Sequence, residues 1–548
     1  MQVPMGVQDF KEIRDLGGYF IDKSALIDYV LSNRLVKAFL FTRPRRFGKS
    51  TNLSMLDAYL NMNYEGNTWF DGLKISEMRP NDPDKNSVPV ISIDLKGMGN
   101  GSYDVFVQRF RKRAYEICRD HLYLMESERL DPVTKELFAS YYEMKSDEVA
   151  LPDFLRDMCV MLHRHHGQRP VVLIDEYDDI LNRSYGLSDQ RSIHDFMRDL
   201  LSSALKGNDS LRFGVITGIM QIAKESIFSG LNNLYVDNIL STNADEMFGF
   251  TACEVERLCA DFDHPEKFDE VREWYDGYRF GNAEIYNPWS VLSYVKAGFR
   301  PAEYWAGTSG NSIIDDLISN PDEETIENLM ALGSGGTISA NLRPGVTFAD
   351  ISDRGSGIYS VMAFSGYLNA TASGNGCLLS IPNREMYEVF TDMVLERLGA
   401  SVLDSGIRDF RDALIGNDPD SMSSALRKML QDSVSFRVLG HETSYQLFIV
   451  GLLMSLHGNY RITADFESGD GRHDIRMERL HGDGPNVLME IKRASDRSGQ
   501  KSLEDLAEMA LRQIHEKDYC HGLKGKTILY GIAFDGKHPS ILSETLRS

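Results

Sequence analysis

Along the first 220 positions, apolar residues gather into short unbroken runs set between longer stretches of helical periodicity. The runs "KAFLFT" (37–42), "VPVISIDL" (88–95), "PVVLIDE" (170–176) and "LRFGVITGI" (211–219) are bounded by polar or turn residues. That is how strands buried on both faces read. "TNLSMLDAYLNM", just after the first run and its loop, carries apolar residues at helical spacing. Strands separated by helical patterns predict a parallel sheet with helices on both faces. Past residue 250 the pattern turns helical. "FTACEVERLCADF" begins at Thr251 with a Glu three residues on, a capping-box signature. The Gly- and Ser-rich "ALGSGGTISANLRPG" (331–345) reads as a loop or linker. "GYLNATASGNGCLLSIPNREMYEVF" (366–390) reads as a strand, an "SGNG" turn, a second strand and a helix capped by Asn383. A helix before that hairpin would complete a small winged-helix-like unit. No internal repeat is visible.

At 548 residues the chain is too long for one core, and its size predicts roughly three to four domains. With 42% hydrophobic and 26% charged residues it reads as ordered and globular. A net charge of −22 excludes a protein that coats nucleic acid through its whole-molecule field. Any polyanion must be gripped by a local basic patch helped by metal ions. Residues 441–548 carry 14 basic against 16 acidic residues, so this part is far less acidic than the rest. Arg472, Arg493, Lys501, Arg512 and Lys524 are its candidate nucleic-acid contacts. Six scattered cysteines without a Cys-x-x-Cys pair fit reduced thiols and offer no zinc site. The N-terminus lacks signal-peptide architecture, and the longest apolar stretch, 445–456, is shorter than the roughly 20 residues of a membrane span. The expectation is a soluble, cytoplasmic protein with no membrane partner.

"FTRPRRFGKST" (41–51) has the ending of a phosphate-binding loop, Gly48, Lys49 and Ser50, but Arg43 stands where a first glycine is usual. Backbone N–H groups across Arg45, Arg46, Phe47, Gly48, Lys49, Ser50 and Thr51 would bind phosphate oxygens at a helix N-terminus. Lys49 would bridge the terminal phosphates and the Ser50 hydroxyl would hold Mg²⁺. The side chains of Arg45 and Arg46 read as solvated charge, and a side chain at position 43 is tolerable if the turn is wide. The run "VVLIDEYDDI" ends in two acids. Asp175 would hold magnesium through water, and Glu176 would polarise the water attacking the γ-phosphate. Thr217, at the end of the next strand, is the candidate polar sensor between water and phosphate. Neither segment is specific alone; in this order they predict an ATP site.

The segments "RPRRFGKST", "LIDEYDDI", "TGIMQIAKESIFSGLNNL", "WYDGYRFG" with "YNPWSVL", and "IPNREMYEVF" resemble the AAA-ATPase-like family that is fused to a PD-(D/E)XK nuclease-superfamily domain. The likeness runs from "GVQDF" nearly to the C-terminus. In this family arginine commonly replaces the opening glycine, so the resemblance implies that Arg43 does not mark a dead site.

The resemblance directs attention to the C-terminal part, where the residues also carry an argument of their own. "GRHDIRMERLHGDGPNVLMEIKRA" (471–494) reads as two strands joined by an "HGDG" turn, with Asp474 on the first and Glu490 and Lys492 on the second. Glu490 and Lys492, two apart, share one face, and strand pairing would bring Asp474 beside them. Two carboxylates and the Ile491 carbonyl make a hard-oxygen site suited to Mg²⁺. Lys492 would orient or deprotonate a water for attack on a phosphodiester. Glu442, opening the helix "ETSYQLFIVGLLMSL", resembles the acid that a helix contributes in the superfamily. Gln513 and Tyr519 resemble a glutamine and tyrosine used near the scissile strand, although their spacing of six departs from the usual four. His473 stands where proline is usual.

The fold expected is α/β: a P-loop NTPase (AAA/ASCE-like) parallel sheet over 1–250, a helical lid over 251–330, a linker and winged-helix-like unit over 331–400, and a restriction-endonuclease-like domain over 401–548. The function expected is nucleotide-regulated, Mg²⁺-dependent cleavage of nucleic acid, DNA foremost. The rivals are an ATP-switched scaffold whose nuclease-like domain does not cleave, and an ATPase motor with a docking module. A homo-oligomer is compatible with either half.

Overall fold

The computed structural model describes residues 2–184, 186–222, 233–305, 323–346, 356–374, 376–397, 404–433, 442–456, 459–468, 471–481, 483–494, 502–517 and 519–546. Five parallel strands form the N-terminal sheet, in the spatial order Val90–Asp94, Val171–Asp175, Phe213–Gly218, Ala38–Thr42 and Leu234–Asp237. The strand ending in the two acids is thus separated from the strand entering the loop by one other, Phe213–Gly218. All four expected strands form.

Why these strands read as solid apolar runs is visible in how their residues divide. Phe39, Phe41, Leu173 and Val215 pack into one buried cluster with Leu53 and Leu56 of the helix Lys49–Leu60. Their neighbours Leu40, Ile174 and Ile216 pack into a second with the helices Tyr103–Asp120, Phe154–His166 and Gln190–Leu205. Both faces of the sheet are covered, and every residue of its three inner strands, Ala38–Thr42, Val171–Asp175 and Phe213–Gly218, is buried.

The helix Ala252–Asp261 begins at the Thr251–Glu254 capping box read from the sequence. Farther on, the helix Ser356–Ser365 precedes an antiparallel hairpin, Asn369–Ser373 with Gly376–Ser380, which Ile338–Ala340 joins as a third strand. Asn383 accepts from the Met386 N–H at 3.0 Å and caps the helix Arg384–Arg397.

The C-terminal sheet is mixed. Its order is Tyr460–Ser468, Gly471–Arg479, Asn486–Arg493, Thr527–Asp535 and His538–Leu546, with only Asn486–Arg493 and Thr527–Asp535 parallel. The helix Leu503–Glu516 makes the crossover between the parallel pair. Close approach is needed here: a Cβ on Gly531 would lie 2.1 Å from the Ala507 carbonyl oxygen. On the opposite face lies Glu442–Leu453, buried from Ser444 onward, with Tyr445 stacked on Phe534 at 4.2 Å. The apolar stretch noted at 445–456 is therefore a core helix. No helix among the described residues is long and apolar enough to cross a membrane.

Candidate functional sites

The loop between Ala38–Thr42 and Lys49–Leu60 turns through two left-handed residues, Arg46 (φ 70°) and Gly48 (φ 81°). Its N-terminal end is fixed by Arg43, which is wholly buried and points away from the loop's interior. The guanidinium pairs with Asp237 at 2.6 Å and donates to the carbonyls of Thr42, Asp237 and Ala244 at 2.9–3.0 Å. Phe248 and Phe280 cover it at 4.9 and 5.3 Å. The arginine at the glycine position is thus a strut from the loop to the neighbouring strand, and the turn bends around its backbone. Lys49 folds onto the loop, its ammonium donating to the carbonyls of Arg43 (3.1 Å) and Pro44 (3.0 Å).

A cavity of about 270 Å³ opens over the loop, lined by Arg45, Arg46, Lys49, Ser50, Thr51 and Glu176 among others. An apolar pocket adjoins it at Gly48 and Thr51 and is walled by Phe20, Ile21, Phe47, Phe250 and Leu292. Glu176 sits in a left-handed conformation (φ 52°), which a non-glycine residue holds at a cost and which turns it off the strand end. Asp175 accepts from the Glu176 N–H at 3.0 Å and from the Thr217 hydroxyl. Thr217, the candidate sensor between water and phosphate, is buried and its hydroxyl donates to Asp175; neither of the two is among the residues lining the cavity. The side chains of Arg45 and Arg46, read from the sequence as solvated charge, are half-buried. Both line the cavity, and the Arg46 guanidinium lies over Trp289 at 4.1 Å.

Asp178 escaped the sequence reading although it sits in the same "DEYDD" run. It is fully buried and accepts from the N–H groups of Ile219 (2.9 Å) and Met220 (3.1 Å), pinning the segment just past Thr217. Burial, and then the charge of Glu176, push its carboxyl up to about 7.

In the C-terminal sheet, the antiparallel register pairs Ile475 with Met489, so Asp474 and Glu490 come next to each other one step further along. Asp474 accepts from the Ile491 N–H at 2.5 Å and from Gln446 Nε2 at 2.7 Å. Lys492 donates to Glu490 at 2.8 Å. In an extended strand the N–H and C=O of one residue point to the same edge, so the Ile491 carbonyl faces the Asp474 side. The other Glu490 oxygen, Oε2, is buried and takes no hydrogen bond.

The electrostatics follow from this crowding. Burial, then the Glu490 charge, push Asp474 up to about 8, and Glu442 adds to the push. Glu490 is raised by burial and by Glu442, against the pull of Lys492. For Lys492, burial works downward but is outweighed by Glu490, Asp474 and Glu442, so its ammonium is held above the usual lysine range. Glu442 belongs to this site through its charge. Gln446, one turn on along the same helix face, was not singled out from the sequence, although an i, i+4 relation to Glu442 is its signal.

Gln513 Nε2 lies 3.4 Å from the Tyr519 hydroxyl, and Tyr519 feels the charges of Glu490 and Asp474. The spacing of six therefore still brings the two side chains together, with the Tyr519 ring packed among Leu488, Ile514 and Leu529. Among the nucleic-acid contacts expected, Arg493 and Lys524 are exposed and Arg512 pairs with Glu508 at 2.7 Å. Lys501 and the Arg472 side chain lie outside the described residues.

A divalent cation fits this donor set: a buried and a half-buried carboxylate that repel each other, one orphaned oxygen and a carbonyl at the same edge. Among the described residues, no group of three or more His, Cys, Asp or Glu side chains is gathered for a metal, so the carbonyl is needed to complete the set.

Residues 4–228 match the family described as predicted AAA-ATPase, and residues 440–544 match the PD-(D/E)XK nuclease superfamily. The chain is also similar to an uncharacterized protein encoded in the vnfD 5′ region of Azotobacter chroococcum mcd 1, 28% identical over 338 residues. That likeness covers 60% of this chain and 59% of the relative, so the chain spans less than two thirds of the relative's length. The chain thus joins an AAA-ATPase-like domain to a PD-(D/E)XK nuclease-superfamily domain.

Proposed function

We propose that the protein binds and hydrolyses ATP in its N-terminal half and uses that turnover to regulate Mg²⁺-dependent cleavage of nucleic acid, DNA foremost, in its C-terminal half. The observation that carries the nuclease reading is the adjacency of Asp474 and Glu490 in a nearly dry site with an orphaned Glu490 oxygen and a charged lysine. A buried glutamate beside a half-buried aspartate that repels it is a poor structural element, and charge crowding of this kind clusters at functional sites.

At the N-terminal site, the loop N–H groups and Lys49 would hold the β- and γ-phosphates, exchanging the lysine's bonds to the loop carbonyls for bonds to phosphate. The apolar pocket beside Phe47 and Phe250 suits the adenine base. Ser50 and Asp175 would hold a magnesium ion. Glu176, turned into the cavity, would orient the attacking water and take its proton.

At the C-terminal site, Asp474, Glu490 and the Ile491 carbonyl would hold the second ion. Magnesium, when bound, supplies neutralisation of the charge that develops on the phosphate oxygens. Lys492, paired with Glu490, would orient or deprotonate the attacking water. Gln513 and Tyr519 would hold the scissile strand beside this cluster.

The test is nicking of supercoiled DNA by purified protein in Mg²⁺, with and without ATP. Asp474→Ala and Lys492→Ala should each abolish nicking, and an undiminished rate in either would refute the assigned site. Mn²⁺ binding at Asp474 and Glu490 with no scission of DNA or RNA would favour the scaffold reading.

A further inference from the structure

A triphosphate seated on the loop meets Lys49 and the backbone N–H groups from one side, and its charge exceeds what they and one divalent ion neutralise. Lys96 lines the same cavity from another element. It stands two residues beyond the strand Val90–Asp94, which pairs directly with the strand of Asp175. The Leu95 N–H donates to the Asp175 carbonyl at 3.1 Å, so the path from the acid strand to Lys96 is one residue long.

The turn carrying Lys96 is held rigidly. The Lys96 N–H donates to Asp94 at 2.8 Å, and the Gly97 N–H donates to Asp179 at 2.6 Å. Arg109 binds the carbonyls of Gly97, Met98 and Asn100 at 3.1, 3.4 and 2.6 Å. Gly99 lies flat on the helix that follows Glu176, where a Cβ would come 2.4 Å from the Ile180 carbonyl oxygen. Lys96 is therefore positioned by the same segment that positions Glu176.

Besides Lys49, three arginines line the cavity, and of these only Arg45, on the loop itself, is like Lys96 in having neither an ion pair nor an aromatic ring beneath it among the described residues. Arg183 is bound to Asp179 at 2.8 Å, and Arg46 is laid over Trp289. The Lys96 ammonium takes no acceptor among the described residues. A cation without a partner, carried on a pinned turn at the mouth of a phosphate cradle, is placed for an anion.

Resting on the ATPase reading above, we propose that Lys96 contacts the γ-phosphate and supplies, from within the same chain, the cation that stabilises charge in hydrolysis. In that step the water oxygen bonds to the γ-phosphorus as the bond to the β–γ bridging oxygen breaks. The electron pair leaves on ADP, Glu176 takes the water proton, and inorganic phosphate is released. Lys96 forms no covalent bond. The nucleotide site is then complete in one copy, without a cation from a neighbouring subunit.

The experiment measures ATP affinity with a fluorescent analogue and steady-state turnover with Mg-ATP, on the full chain. Lys96→Ala should lower kcat by about 10²- to 10³-fold with ATP affinity within about threefold of wild type, and Lys96→Arg should recover part of the rate. Turnover per chain should not change with protein concentration or on adding excess Glu176→Gln chain. Wild-type kcat in Lys96→Ala with affinity intact, or poisoning by the Glu176→Gln chain, overturns the inference alone. Absence of ATP binding by the unaltered protein overturns the ATPase reading as well.

Discussion

Arg43 and Asp237 are both fully buried, and their pairing joins the start of the phosphate loop to the edge strand of the sheet. Removing one member leaves the other charged and dry. Arg43→Ala should therefore cost about 3–5 kcal/mol of stability, measured by urea unfolding, and weaken ATP binding because the loop loses its strut. The paired carboxylates at the other site behave differently. Asp474 holds its proton up to about pH 8, while an unfolded aspartate releases it near 3.8. Between those values the folded chain binds a proton that the unfolded chain has lost, so metal-free stability should fall as pH rises across this window. Glu490→Gln removes the repulsion. In differential scanning fluorimetry at pH 8 without metal it should melt above wild type, and it should lose the further rise that Mg²⁺ gives wild type.

At the scale of elements, Glu385 links three parts of the molecule. It opens the helix Arg384–Arg397, accepts from the N–H groups of Tyr304 (2.7 Å) and Trp305 (2.8 Å), and takes the Ser290 hydroxyl at 2.7 Å from the helix Pro288–Lys296. Burial pushes it up to about 7 against these donors. Its folded value lies above its unfolded one, so it contributes a loss of stability as pH rises from about 4.5 to about 7. Glu385→Gln should flatten that part of the stability profile in thermal melts from pH 4.5 to 8. The strands and helices on either side of this link were legible in the sequence because each is written locally, as an apolar run, a cap or a turn. Asn383 and Thr251 announce their helices within three residues. Arg43 was not legible, because its partner lies 194 residues away and no local pattern joins them. The same holds for Thr217, whose partner Asp175 is 42 residues off. Glu490 and Lys492 were legible because a strand's alternation alone puts them together, and Asp474 because a hairpin fixes the register. Gln513 and Tyr519 lie across a helix end, where spacing does not set direction, so their meeting needed coordinates.

For the whole molecule, one buried apolar cluster extends from Phe10 through Phe39 and Phe47 to Phe364, Phe390, Phe448 and Ile491. The phosphate loop touches that continuum directly. Phe47 packs on Tyr278 at 5.1 Å, and Gly366 (φ 94°) lies so close that a Cβ would sit 2.8 Å from Cβ of Pro44. The helix Glu442–Leu453, which carries Glu442 and Gln446, belongs to the same cluster. ATP binding should therefore slow hydrogen exchange in that helix as well as in the loop, and Gly366→Ala should weaken this long-range protection more than it weakens ATP affinity. Unchanged exchange at 442–453 with nucleotide bound would separate the two halves functionally. Two of the four tryptophans have positions with a practical result. The Trp305 indole points at the Arg45 carbonyl (3.5 Å), and Trp289 lies beneath Arg46. Any nucleotide that draws those two arginines toward phosphate changes the surroundings of both indoles, so the protein's own ultraviolet emission can follow its occupancy without a label.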